Sequence, residues 1–276
     1  MLADRLFGHA AELGFYFLFA LFPTLFSASS LLGLAARSAG QIYDRLLDYL
    51  GLLIPTTALG TVLKTFNETT AASSSGKVTL GLIAAIWSAS VGMSAVQDTL
   101  NAVYKIVDKR SYIVDRLYAI ALTVVLTGTV SLGLAACLGG DFVAALAQVT
   151  LHDHAILTIV YIVARVLGWT IATAFIALSF AIIYYWGPSD RKHGWNWLTP
   201  GGVVGIAGWL LASLGFRIYL HFFNSFSITY GSLGAVIILL TWFYISGLML
   251  LVGAEINNEI RAALVERRST RSPQVS

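Results

Sequence analysis

Charge is what this sequence lacks. Its 17 Lys and Arg and 14 Asp and Glu make up 11% of 276 residues, against about 25% in an ordinary soluble domain. Hydrophobic residues reach 57% and the mean hydropathy is +0.78, so too few polar side chains exist to cover a soluble globule. Disorder, coiled coil and an ordinary soluble enzyme are excluded. Cysteine is nearly absent: Cys137 stands alone inside an apolar run, which rules out an intramolecular disulfide or a cysteine metal cluster.

What is present is a series of apolar runs. Six reach the ~20 residues that a helix needs to cross a bilayer, at roughly 13–36, 78–97, 117–140, 155–186, 199–222 and 231–254. They predict an all-α polytopic membrane protein with six transmembrane helices, forming a single integral membrane domain over residues 1–276. The first run is too long for a signal-peptide core and follows Glu12, so it is read as a span.

The net charge of +3 and the pI near 9.0 reflect where the basic residues sit, which is between the runs. Eleven fall on one side: Arg5, Lys105, Lys109, Arg110, Arg116, Arg191, Lys192, Arg261, Arg267, Arg268 and Arg271. Four fall on the other, all in the first loop: Arg37, Arg45, Lys64 and Lys77. The positive-inside rule then puts both termini in the cytoplasm of a bacterial inner membrane, with 260–276 as a cytoplasmic tail. The lipid bilayer is the expected partner, with an anionic lipid or small anion beside it. No nucleic-acid partner and no cofactor are expected, and the sequence gives no oligomeric state.

The first loop carries its own structure. In residues 41–54, Ile42, Leu46, Tyr49, Leu50 and Leu53 share one helical face while Gln41, Asp44, Arg45 and Asp48 share the other. Pro55 breaks this helix, a second amphipathic stretch follows through Leu59, Val62, Leu63 and Phe66, and Ser73-Ser74-Ser75-Gly76 leads back to the membrane. Residues 41–76 thus read as an extracytoplasmic helical hairpin, with an interfacial position as the alternative.

Polar residues inside the runs are the informative ones, since each is costly in a membrane unless it faces a partner or water. In the fifth run Gly201, Gly205, Gly208, Ala212 and Gly215 form a stripe of small residues that invites close helix packing. The glycines of the sixth run, Gly231 and Gly234, are the expected partners. Ser213, Arg217, His221 and Asn224 lie on the opposite side. Arg165 shares a face of the fourth run with Thr158, Tyr161 and Trp169. Arg165 and Arg217 are the only basic residues within helices. Together with Tyr161, His221 and Asn224 they outline an outer anion or substrate pathway, unless Arg217 and His221 snorkel to headgroups; Arg165, about ten residues from the outer end of its run, is too deep to snorkel freely. If the fourth and fifth helices face each other, both guanidiniums enter one chamber, with Asp44, Asp48 and Glu68 as alternative partners.

At the cytoplasmic side Ser90, Ser94, Gln97, Asp98 and Asn101 form an inward stripe on the second helix, with Glu12 and Glu255 at neighbouring ends. These acids either line a polar site or pair with loop bases. Pro23 lies inside the first span, where it removes a backbone hydrogen bond and predicts a kink useful for gating. Polar chambers at both ends of a bundle are what an alternating-access carrier needs.

Signatures of enzymes are thin. His152-Asp153-His154, with Asp141 and His221, offers an external metal site, but a polar loop is the simpler account and no metal site is assigned. No glycine-rich nucleotide loop, nucleophile elbow or HExxH occurs.

Four stretches carry a resemblance: Phe15 through Pro23, Trp87-Ser88-Ala89-Ser90 with Ala95 through Asn101, Tyr230 through Ala235, and Leu251 through Asn257. In order and spacing the chain, from about Ala11 to Glu259, resembles the YihY/BrkB family of bacterial inner-membrane proteins. The resemblance implies six transmembrane helices. Members often carry the label ribonuclease BN, which the residues argue against: the histidine pair is expected outside, and the cytoplasmic acids are spread over different helix ends. The expectation is a non-enzymatic transporter or flippase for an anionic or amphiphilic solute. The alternative is a scaffold for envelope integrity.

Overall fold

A computed structural model describes residues 2–35, 60, 75–150, 154–190, 199–222 and 232–271. These residues form six long helices and no strand. They are α1 (Leu2–Ala35), α2 (Ser75–Val103), α3 (Tyr112–Thr150), α4 (His154–Trp186), α5 (Pro200–Phe222) and α6 (Ser232–Arg271). Among them Tyr112–Gly140, Thr158–Trp186, Pro200–Phe222 and Leu233–Leu264 are long and apolar enough to cross a membrane, and α1 and α2, at 34 and 29 residues, have the length.

Several helices outrun their apolar segments. The backbone stays hydrogen-bonded past the membrane wherever good helix formers continue, as Ala262, Ala263, Leu264 and Glu266 do in α6. Hence α1 begins at Leu2 rather than near residue 13, and α6 runs on to Arg271. Ser75 and Gly76, read as linker, already open α2. The rest of the expected hairpin lies outside the described residues, apart from Gly60. Residue Pro23 lies within α1, which is continuous through it.

Helix α1 packs between α2 and α6, and α5 lies against α6; α3 and α4 form a closely packed pair that joins the rest through α3 on α2 and through α4 on α5. Residues 104–111, 187–190 and Thr199 lie at the same end as the start of α1 and the end of α6, here called the basic end. The core gathers in that half of the bundle. It joins Ala10 and Leu13 of α1, Val96 and Leu100 of α2, Ala119 and Leu122 of α3, Ile182 and Tyr184 of α4, and Leu251 and Ala254 of α6.

The small-residue stripe of α5 packs on α6 at the start of α5. A Cβ on Gly201 would collide with the Gly253 carbonyl, and one on Gly205 would lie 2.9 Å from the Tyr184 hydroxyl and 3.3 Å from the Met249 carbonyl. Gly253 is the partner of Gly201, because antiparallel neighbours set the start of α5 beside the far end of α6; Gly231 lies outside the described residues. The stripe also stops short. Gly208 meets only the Met249 side chain, and nothing lies within 4 Å of a Cβ on Gly215.

Candidate functional site

The basic end is held by a loop with unusual backbone. Helix α2 ends with the Ile106 amide donating to the Asn101 carbonyl (2.8 Å) and the Lys105 amide to the Ala102 carbonyl (3.2 Å), the paired bonds of a Schellman cap. Such a cap needs a left-handed residue where glycine is usual, and here it is Lys105, with φ of 56°. The cap turns the chain sharply and delivers Asp108 to the neighbouring loop.

Asp108 is the hub of that end. Its carboxylate accepts from the Arg110 guanidinium (2.8 Å), the Arg110 amide (2.8 Å) and the Ser189 hydroxyl (2.6 Å). The Arg110 guanidinium, helped by Ser189, holds this carboxyl well below the usual carboxylate range despite partial burial. Arg110 also pairs with Asp115 on α3 at 3.0 Å. From α2, the Asn101 oxygen accepts the Ser189 amide at 2.8 Å. The end of α2 and the start of α3 are thereby tied to Ser189 after α4, 81 residues on from Asp108.

Beside this hub lies a pocket of about 640 Å³ lined by Tyr104, Lys105, Asp108, Lys109, Arg110, Ser189, Asp190 and Arg261, among others. Four bases face two acids, so the pocket attracts anions. Arg261 lies 5.5 Å from the centre of the Tyr104 ring. Burial pushes the Tyr104 phenol up to about 12, with Asn257 and Arg261 pulling weakly the other way, so at neutral pH it is protonated.

Below the pocket the helices close on one another. The Tyr184 hydroxyl donates to the Leu250 carbonyl at 2.8 Å, joining α4 to α6. Asn257 receives the Gly201 amide at 2.9 Å and donates to the Thr199 hydroxyl at 2.9 Å, joining α6 to the start of α5. Asn258 donates to the Val103 carbonyl at 3.1 Å, joining α6 to α2. At the other end the same helices are less covered. Between Ile156 and Thr173 the described side chains of α4 are exposed or half-buried, except Ala164 and Gly168, which face α3.

The sequence-predicted residues divide accordingly. Ser90, Gln97 and Asn101 are buried as expected, and Gln97 is fully enclosed with neither its amide nitrogen nor its oxygen hydrogen-bonded. Asp98 is not part of that inward face: one residue on from Gln97, the helical rotation of about 100° carries it to the exposed side. Glu12 is exposed and lies 3.4 Å from His9. Glu255 is half-buried, with one carboxylate oxygen lacking a hydrogen bond. Arg165, Arg217 and His221 are exposed, and the Arg165 guanidinium bonds the Tyr161 hydroxyl. Asn224 lies outside the described residues, as do His152 and Asp153. Among the described residues no three His, Cys, Asp or Glu cluster as a metal site would need.

Sequence reasoning missed Asp108, Ser189, Tyr184 and Asn257. The first two lie in loops, where no periodicity marks a contact. The other two look like ordinary residues of a helix end.

The whole chain, residues 1–276, matches the family model for virulence factor BrkB. The chain belongs to the virulence factor BrkB family. A relative in Bacillus subtilis (strain 168), the ribonuclease-like protein YfkH by name, is 32% identical over 90% of this chain and 87% of its own length. A UPF0761 membrane protein of Xanthomonas oryzae pv. oryzae (strain PXO99A) is 24% identical over 99% of this chain and 61% of its own length. Another, from Coxiella burnetii (strain Dugway 5J108-111), is 28% identical over 40% of this chain and 33% of its own. No solved structure matches. This BrkB-family chain is thus a membrane protein, the description that the Xanthomonas and Coxiella relatives carry.

Proposed function

We propose that this BrkB-family protein is a transporter or flippase for an anionic or amphiphilic solute, set in a bacterial inner membrane with its basic end in the cytoplasm. One observation carries the reading. Helices α4 and α5 meet at the basic end, where Tyr184 lies against Gly202 and Gly205, while towards the other end α5 exposes Arg217 and His221. A bundle shut at one end and polar at the other is one state of an alternating-access carrier. The buried, unpaired amide of Gln97 supports it, since an unsatisfied buried group costs about 1–3 kcal/mol and a purely structural bundle gains nothing by keeping it.

The test is transport by purified protein in liposomes, over a panel of labelled anions and lipids. We expect protein-dependent movement of at least one anionic solute, reduced at least tenfold in Gln97→Leu. A protein that moves none, yet whose loss weakens the envelope, would instead be a scaffold. Nuclease activity is not expected, and robust metal-dependent RNA cleavage by the solubilised protein, lost in Glu255→Ala, would overturn the non-enzymatic reading.

A further inference from the structure

The flank formed by α3 and α4, away from the basic end, combines a cation, an aromatic wall and an apolar crevice. The Arg165 guanidinium does not stay at the depth of its own Cα. It reaches one turn towards the end of α4 that is remote from the basic end, to the Tyr161 hydroxyl, and lies 5.6 Å from the centre of the Tyr161 ring. The apolar run begins at Ala155, so Tyr161 stands six residues, or about 9 Å of helix rise, inside it. A lipid phosphate meets a charge held there by the outward lean of the two side chains and local thinning of the bilayer.

Beneath it, Arg165, Trp169, Thr170 and Thr173 line an open groove of about 510 Å³. The threonine hydroxyls are turned back onto the carbonyls of Val166 and Trp169, at 2.7 and 2.8 Å, so their methyl groups remain to meet an apolar ligand. Trp169 is also a wall of a second cavity of about 100 Å³ between α3 and α4, whose other walls include Val130, Leu134, Cys137 and Phe175. The crevice exists because the helices approach closely just above it: Gly168 lies against the Ala136 carbonyl and Gly140 against that of Ala164. Its α4 residues, Trp169 to Ile176, lie about 12 to 22 Å deeper than Tyr161 by helix rise, the range an acyl chain occupies below its phosphate.

We infer that this flank binds a phospholipid, with its phosphate held by Arg165 beside Tyr161 and one acyl chain running past Trp169 into the α3–α4 crevice. The chemistry fits at each level. A planar guanidinium grips a phosphate through paired charge-assisted bonds, and an amphipathic aromatic is at home where headgroup gives way to chain. The inference goes beyond the transport reading, because occupancy is read without turnover.

The test is native mass spectrometry of the detergent-purified full chain, titrated with palmitoyl-oleoyl phosphatidylglycerol, with dioleoylglycerol as the phosphate-free lipid and inorganic phosphate as the chain-free anion. One phosphatidylglycerol should be retained. Its affinity should fall about tenfold in Arg165→Gln and by a similar factor in Ala172→Phe, which fills the crevice; Trp169→Ala, an exposed position, gives the same readout should Ala172→Phe fold poorly. Dioleoylglycerol and inorganic phosphate should each bind at least tenfold more weakly than phosphatidylglycerol. Phosphatidylglycerol binding unchanged in Arg165→Gln, or unchanged in both crevice variants, would overturn the site. So would equal retention of dioleoylglycerol, or phosphate bound as tightly as the lipid. None of these failures would touch the transport reading, which rests on flux.

Discussion

Lys105 holds a left-handed conformation at φ 56° that costs a residue with a Cβ about 1–2 kcal/mol. The Schellman bonds from Ile106 and Lys105 repay it by satisfying the last carbonyls of α2. Lys105→Gly should therefore raise thermal stability, by about 1 kcal/mol, while removing one cation from the anion-attracting pocket. A melting curve and an anion-binding titration separate the two effects, and a variant less stable than the wild type would contradict the strain. Asp108 makes the complementary case. Its folded-state pKa is depressed, so its contribution to stability is complete above the unfolded value of about 3.9 and is lost only as the pH falls through the lower folded value. Melting temperature should thus owe nothing to Asp108 between pH 7 and 5. Asp108→Asn should lower stability by about 1–3 kcal/mol equally at both pH values, and a pH-dependent difference between variant and wild type in that interval would show the carboxylate to be less well held.

Glycines decide what happens between elements. A Cβ on Gly201 would run into the Gly253 carbonyl, whereas Gly215 has no neighbour within 4 Å. Gly201→Ala should then destabilise by about 1–3 kcal/mol, since backbone has nowhere to move. Gly215→Ala should stabilise by up to about 1 kcal/mol through helix propensity alone. Gly208→Ala should fall between, because only the flexible Met249 side chain opposes it. The reverse order in unfolding measurements would mean that α5 and α6 are not apposed as described. This seam also shows what a single chain reveals. The 4, 3, 4, 3 spacing of small residues announced a packing face, and the choice of α6 followed from the short connection. Its register did not, because which glycine meets Gly201 depends on where along two antiparallel helices the chain closes. The six helices were legible because a bilayer demands about 20 apolar residues each time; the hub at Asp108 was not, because Asp108, Arg110 and Ser189 are polar loop residues with no period, and the periodic stripe that marked Asn101 did not say what it would meet.

At the scale of the whole molecule, orientation and movement stand or fall together with the basic end. Eleven basic residues on the side of the termini, against four on the other, predict that cysteines introduced at 109 and 268 in a Cys137→Ala background resist membrane-impermeant reagents applied to intact cells. Labelling there from outside would reverse the topology and with it the side on which solute enters. Alternating access further requires the basic end to open, and the bonds that close it join α5 to α6 through Thr199 and Asn257. Their side chains touch at 2.9 Å, so a Thr199→Cys, Asn257→Cys pair in the same background should be bridged by a short bis-methanethiosulfonate reagent, whose linkage is reducible. With the basic end locked, flux in liposomes should drop at least tenfold and return on reduction. Phosphatidylglycerol binding at Arg165, on the other flank, should be unchanged. Flux that survives the lock would mean that solute does not pass between α5 and α6, and the conducting route would have to be sought along the α3–α4 pair, whose own seam of Gly140, Ala164 and Gly168 is closed by backbone contact rather than by bonds that can be made and broken.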